Sequence, residues 1–350
     1  MEKKKGLIWA VISLLIAAMS VFAVIKQSRD MSIIKIFQSL ENADIRFVIL
    51  AVISSFGFIF FEGLAIMVVA KSLGYKKSIF KGCVYSSADI CFSAITPSAS
   101  GGQPASAYLM IKDGISAAVT TVTLIVNLIM YTLALLTVGA VALIIDREAI
   151  TRFALFPARV LIGVGCLVLI GLFISFMLLL RHGKWVFKIV SKIMIFLSDH
   201  KLMHHLPRRL AKLERIVFEY EEAVVLMSGK VKALILAYIF NLLQRISQIL
   251  ASALLYCAYF GCGKNAFKIF TTQVLAMIGS FTVPIPGGMG VTDYLAIDGF
   301  ASIVGREQAI FMDLISRGVS FYVLIVVTVV ILILGVFIVP ALSPKKHTPR

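Results

Sequence analysis

Seven charged residues stand within largely apolar stretches of this chain: Glu62, Asp89, Arg245, Asp293, Asp298, Asp313 and Arg317. A charge in apolar surroundings is expensive and faces a cavity or a partner. Arg245, flanked by Gln244 and Gln248, has no acidic residue within a helical turn. Its expected partner is a lipid phosphate, or Glu62 or Asp293 from another helix. Asp313 and Arg317 are four apart, the spacing of a local ion pair on one helix face.

Two Pro/Gly-rich interruptions supply a second kind of chemistry. The first reads ITPSASGGQPASAYLMIKDG and the second TVPIPGGMGVTDYLAIDG. Proline removes a donor and ends a helix. A glycine pair permits a sharp turn and lets a ligand approach the backbone. Each break therefore frees backbone groups, and a half-helix N-terminus formed there can bind an anion such as phosphate. Thr96, Ser98, Ser100 and Gln103 add side-chain hydrogen bonds at the first break. With Gly101-Gly102 aligned on Gly287-Gly288, Tyr108-Leu109 falls on Tyr294-Leu295 without a gap. Pro97 precedes the first glycine pair and Pro284 and Pro286 the second; Asp113-Gly114 and Asp298-Gly299 follow. Pro97, Pro104, Pro284 and Pro286 are read as the helix breakers.

Catalytic patterns are missing: no nucleophile elbow, no Walker A loop and no HExxH. His200, His204 and His205 lie close together, but only Asp199 adds a carboxylate, so no metal site is expected. The five cysteines, Cys83, Cys91, Cys166, Cys257 and Cys262, lack CxxC spacing and are read as reduced packing residues. No cofactor is expected.

Membrane helices must position these groups. The 350 residues are 60% hydrophobic and 15% charged, where a soluble domain carries about a quarter charged residues. A span needs roughly 20 apolar residues, and six stretches reach that length: 7–25, 46–70, 115–145, 159–180, 233–260 and 317–339. The first is too long for a signal peptide and has no small-residue cleavage site, so it is read as a retained span. The alternating strands of a barrel do not occur. The expected architecture is an all-α polytopic membrane protein with about six full spans and two re-entrant Pro/Gly-broken hairpins. Its parts are a first span and outer loop (1–45), repeat A (46–145, hairpin near 82–112) and a connecting span (146–181). A basic amphipathic cytoplasmic segment (182–230), repeat B (231–340, hairpin near 268–304) and a basic cytoplasmic tail (341–350) complete it.

The net charge of +16 follows the positive-inside rule. With the N-terminus inside, 22 of the 34 Lys and Arg residues fall on inner segments and 10 on outer ones. That balance requires both Pro/Gly-broken regions to enter and leave on one side. The helices before the two breaks then run in opposite directions, which makes the units an inverted-topology repeat of the kind transporters build around a midplane site. In 182–230, Lys184, Lys188 and Lys192 alternate with Trp185, Phe187, Ile189, Ile193 and Phe196, and Leu210, Leu213, Val217 and Tyr220 continue an apolar stripe. Two placements are open for this segment: lying on the inner leaflet, or packing on the protein.

The two break segments, with GGQP and its following Tyr and with P-x-P-G-G-x-G, resemble the signatures of the lysylphosphatidylglycerol synthase transmembrane family, also called flippase-like domain proteins. The resemblance covers nearly the whole chain. Its best-known members are the multiple peptide resistance factors, which protect against cationic antimicrobial peptides. It implies a bacterial plasma-membrane domain that moves aminoacylated phosphatidylglycerol outward, beside a separate soluble domain that makes the lipid. Three departures stand out. The chain stops at Arg350 without that soluble domain, Asp293 stands where Glu is usual, and Val291 and Ser106 replace a common Gly and Gln. Carried over are Gly101, Gly102, Gln103 and Pro104 at one break, and Pro284, Pro286, Gly287, Gly288, Gly290, Asp293 and Arg317 at the other.

The expected function is a lipid flippase or scramblase for a phosphate-bearing lipid such as (lysyl-)phosphatidylglycerol, with both termini cytoplasmic. The expected substrate contacts are Glu62, Thr96, Ser98, Ser100, Gly101, Gly102, Gln103, Tyr108, Arg245, Gly287, Gly288, Gly290, Asp293, Tyr294 and Arg317. Alternatives are a lysyltransferase-type membrane enzyme or its membrane subunit, and an ion-coupled transporter of a small anion. No catalytic residue is expected in this chain alone. The expected partners are anionic or aminoacylated phospholipid, a separate lipid-modifying enzyme and a second copy of the chain, but not nucleic acid.

Overall fold

In the computed structural model of the chain, residues 43–96, 100–182, 206–283 and 290–338 are described, with four single positions, 188, 191, 192 and 195, between them. Among the described residues the regular structure is entirely helical. Five helices are long and apolar enough to cross a membrane: Ile45–Ser72, Ala117–Ile145, Phe156–Arg181, Val231–Phe260 and Arg306–Val336. They coincide with five of the six expected spans, because a length of apolar residues is the one signal a bilayer demands. The remaining one, 7–25, lies outside the described residues, as does the tail 341–350.

The helices fall into a repeated order. The first unit is α1 (Ile45–Ser72), α2 (Ile79–Ile95), α3 (Gly102–Lys112) and α4 (Ala117–Ile145). A 3₁₀ turn, Ala149–Arg152, leads to α5 (Phe156–Arg181), and α6 (Leu206–Ser228) follows. The second unit is α7 (Val231–Phe260), α8 (Lys264–Ser280), α9 (Val291–Val304) and α10 (Arg306–Arg317). Helix α10 passes through a wide π-turn, Gly318–Val323, into α11 (Leu324–Ile333), and a second such turn, Leu334–Ile338, follows. Helix lengths run 28, 17, 11 and 29 residues in the first unit. In the second they run 30, 17 and 14 residues, then a 31-residue span. Each unit is thus a long helix, two short helices about a break, and a long helix.

The units are interlocked. Helices α1 and α7 pack along one another, α2 also packs against α11, and α8 also packs against α4. The short helix of each unit therefore leans on the last helix of the other. Within membranes such close approaches depend on small residues. At the α1–α2 crossing, a Cβ on Gly63 would lie 2.7 Å from the Gly82 carbonyl carbon, and one on Gly82 would lie 2.6 Å from the Gly63 carbonyl oxygen. The backbones touch there.

Local signals set the helix ends. Asp44, Ser78 and Ser116 cap α1, α2 and α4 with side-chain oxygens that accept from Arg46, Lys81 and Val119 N–H groups. Pro157 opens α5 in the first turn. Thr96 is extended, as the residue before a proline must be, and α2 ends there. After α3 the chain turns at Gly114, with φ +87°. Asp113 is held in that turn by the Tyr85 hydroxyl at 2.7 Å and by Lys81 at 2.9 Å.

Three expectations need correction. Asp298-Gly299 is not the counterpart of Asp113-Gly114. Gly299 lies inside α9, where a Cβ would meet Thr272 at 2.3 Å and the Phe153 ring at 3.0 Å. The turn equivalent to Gly114 is Gly305, with φ +84°. Pro104 does not break a helix. It is the third residue of α3, where a backbone nitrogen has no partner within the helix. Cys257 and Cys262 form a disulfide, with Cα atoms 4.5 Å apart, because α7 ends at Phe260 and the chain folds back at Gly261, φ +80°. Cys83, Cys91 and Cys166 are free.

Of the two placements open for 182–230, the described part, α6, takes packing on the protein. Tyr220, Ala223 and Met227 are buried against Val69, Val122, Val126 and Ala237. The Tyr220 hydroxyl donates to the Leu179 carbonyl at 3.0 Å, and burial pushes its pKa up to about 12. Of the basic and aromatic residues named between 184 and 196, Lys188 and Lys192 stand at single described positions and the others lie outside the described residues.

A buried clamp joins the α4–α5 connection to α8. Arg152 makes two parallel bonds to Asp146, at 2.6 and 2.7 Å, and Thr271 donates to the same carboxylate at 2.6 Å. Burial by itself raises the Asp146 pKa, but the bonds from Arg152 and Thr271 and the Arg152 charge outweigh it and hold the group below its ordinary value. A depressed carboxylate stabilises the fold above its unfolded pKa of about 3.8 and loses that contribution as pH falls through the folded value. Asp146→Asn strands a buried guanidinium and is expected to cost about 3–5 kcal/mol. Thermal unfolding in detergent checks both points: a lower midpoint at neutral pH, and a smaller further drop on acidification than in the wild type.

Candidate functional site

Three of the seven charges, Glu62, Asp89 and Arg245, converge where α1, α2, α3, α4 and α7 meet. Glu62 of α1 is 4% exposed. Its carboxyl accepts from Ser86 Oγ of α2 at 3.0 Å and from Gln244 Nε2 of α7 at 3.0 Å. Asp89 stands three residues on from Ser86, on the same side of α2. It accepts from Ser93 Oγ at 3.1 Å and from the Gln103 side-chain amide of α3.

Gly102 makes this arrangement fit. A Cβ there would lie 2.0 Å from Asp89 Oδ1, 2.1 Å from Ser93 Oγ and 2.4 Å from the Asp89 carbonyl oxygen. The first residue of α3 is therefore pressed against Asp89, and only glycine lets the helices approach so closely.

Arg245 is 2% exposed. Nη1 donates to Gln248 Oε1 at 2.7 Å and lies 3.9 Å from the Met277 sulfur. The guanidinium lies 3.8 Å from the Tyr131 ring centroid and 5.0 Å from that of Phe58. A planar cation is suited to such stacking. Nε and Nη2 have no hydrogen-bond partner among the described residues. Glu62 and Asp89 act on it through their charge.

The second break carries a matching but differently closed group. Arg317 pairs with Asp293 of α9, where the spacing suggested Asp313. Asp293 also accepts from the Gly290 N–H at 2.8 Å, and Asp313 acts on both groups through its charge. Arg317 lies 6.0 Å from the Phe321 ring at the start of the π-turn, a feature common at functional sites. Its Nη2 has no partner among the described residues.

One N–H at the start of each half-helix is already taken. The Gly101 N–H is taken by Thr96 Oγ1 at 2.9 Å, and the Gly290 N–H by Asp293. Thr96 thus braces the first break locally. Ser100 is exposed, and Tyr108 and Tyr294, 49% and 36% exposed, lie outside the buried cluster. Pro97, Ser98, Pro284, Pro286, Gly287 and Gly288 lie outside the described residues. Asp298 faces the start of α5, its carboxylate 3.3 Å from the Leu155 N–H. Sequence reasoning did not single out Ser86, Ser93, Phe58, Tyr131 or Met277. Nothing in their spacing marks them, because they come to the cluster from four helices, α1, α2, α4 and α8.

A family model described as the lysylphosphatidylglycerol synthase TM region matches residues 10–328 of the chain. No curated protein and no solved structure matches it.

Proposed function

The chain belongs to the lysylphosphatidylglycerol synthase TM family, and on that premise we propose that it moves a phosphate-bearing lipid such as (lysyl-)phosphatidylglycerol between membrane leaflets. One observation carries the reading. Arg245, 2% exposed within the α7 span, keeps two guanidinium nitrogens without a hydrogen-bond partner among the described residues. Buried donors are nearly always paired, and a guanidinium matches the planar, multi-oxygen face of a phosphate. Arg317, at the other break, offers a second such nitrogen. Glu62 lies behind Arg245, and Asp293 beside Arg317, as balancing acids.

In this reading the α2–α3 and α8–α9 pairs are re-entrant hairpins. They enter from opposite faces as an inverted repeat, and the headgroup passes between them. Both termini are cytoplasmic in a bacterial plasma membrane, and a separate enzyme supplies the modified lipid. The Cys257–Cys262 disulfide supports that orientation, since its loop falls on the outer side, where disulfides persist.

Reconstitution into liposomes with labelled lipids tests the proposal. Leaflet exchange of phosphatidylglycerol and lysyl-phosphatidylglycerol is expected to exceed that of phosphatidylcholine and that of protein-free vesicles. Exchange of every lipid at the protein-free rate overturns it.

A further inference from the structure

The Glu62–Asp89 pair lies beside the guanidinium. Glu62 and Asp89, 4% and 8% exposed, and Arg245, 2% exposed, are neutral together in a low-dielectric interior only when the two acids hold one proton between them. The groups facing the pair are Ser86 and Ser93 on α2, Gln103 on α3, Tyr131 on α4, and Gln244 and Arg245 on α7. Arg245 is the one cation among them. Pair and arginine together are neutral, as a low-dielectric interior requires. Two further observations mark the cluster as built for exchange. Gln244 is fully buried and donates to Glu62, yet its Oε1 has no partner among the described residues. Arg245 Nε and Nη2 likewise have none.

We propose that the Glu62–Asp89 pair is a proton-binding site whose second proton is taken up when an anionic lipid phosphate binds Arg245, so that one proton travels with each lipid. The inference rests on the lipid reading above. Its basis is charge balance. A singly charged phosphate on Arg245 leaves the cluster with one net negative charge, and a second proton on the pair restores neutrality. Each carboxyl then carries its own hydrogen, and Gln244 Oε1 and the Ser93 hydroxyl are acceptors within the cluster. Release of the lipid on the far side returns the phosphate charge to water and the proton with it. No bond other than O–H forms or breaks. The loaded cluster is neutral, so the step moves no net charge across the membrane. The Asp293–Asp313 pair differs, because Arg317 is already bonded to it.

Two measurements on the purified full chain test this. In weakly buffered detergent with a pH dye, adding short-chain phosphatidylglycerol is expected to draw about one proton per lipid bound, and none in Glu62→Gln or Asp89→Asn. In proteoliposomes with voltage clamped, a pH step of one unit is expected to bias labelled phosphatidylglycerol about tenfold between leaflets. Lipid that binds or exchanges with no proton uptake and no bias overturns the coupling and leaves lipid movement standing. Absence of both binding and exchange overturns the lipid reading, and the coupling with it. Should the variants fail to fold, the wild-type proton count decides alone.

Discussion

Gly102→Ala is expected to separate α3 from α2 and to abolish lipid exchange. The added methyl would meet two side-chain oxygens and, at 2.4 Å, the Asp89 carbonyl oxygen. Side chains can rotate away; a helix carbonyl cannot. Overpacking of this kind costs about 1–3 kcal/mol, occasionally more. The same movement pulls Gln103 from Asp89 and opens the carboxyl pair. Ser93→Ala removes one of the three collisions but not the carbonyl, so it rescues only in part. Gly290→Ala is a control with a different cause. Among the described residues nothing lies within 4 Å of a Cβ there, but φ is +82°. Its penalty is backbone strain, on the order of 1–3 kcal/mol, and it leaves the first break intact. Thermal unfolding with Ser93→Ala in each background separates the two: partial recovery for Gly102→Ala, none for Gly290→Ala.

Arg245→Met is expected to lower exchange roughly tenfold to a hundredfold, the range for hydrogen bonds to a charged group, without loss of thermal stability. Arg245 gives the fold one hydrogen bond, to Gln248, and stacking on Tyr131 and Phe58, and methionine keeps the apolar part of those contacts. Loss of its charge is answered by the carboxyl pair, which takes the second proton. Arg317→Met should behave differently. Asp293 is bonded to that guanidinium, and Asp313 stands beside it. Removing the cation leaves two acids facing each other, so both stability and exchange fall. Opposite stability responses at the two arginines would separate a ligand-binding cation from a structural one. A stability loss at Arg245 as large as at Arg317 contradicts the assignment.

Much of this was legible in the sequence, for reasons that differ from part to part. The five described spans follow from apolar length, which needs no tertiary information. The breaks were legible because Pro97 and the glycine pairs act locally. The same locality misled at Pro104, whose place in the first turn of α3 makes it a helix opener. It misled again at Asp298-Gly299, where Gly299 serves packing against Thr272 and Phe153 rather than a turn. Arg245 and Arg317 stood out because charge in an apolar run is costly. Their partners did not stand out: Asp293 reaches Arg317 from another helix, and the Tyr131 ring under Arg245 is one aromatic residue among many. Asp89 stood out as a charge in an apolar run, but its approach to Glu62 depends on the α1–α2 crossing at Gly63 and Gly82. The Cys257–Cys262 bond depends on the fold-back at Gly261, which spacing alone does not reveal.

The account turns on a lipid phosphate reaching Arg245. Phosphorus–nitrogen dipolar recoupling by solid-state NMR measures that contact, with guanidinium-labelled arginine in phosphatidylglycerol bilayers and Arg245→Lys as the subtracted reference. The difference signal assigned to Arg245 is expected to dephase against lipid phosphorus, and to stop doing so in phosphatidylglycerol-free bilayers of neutral, phosphate-lacking lipid. A difference signal that does not dephase in phosphatidylglycerol would contradict the account.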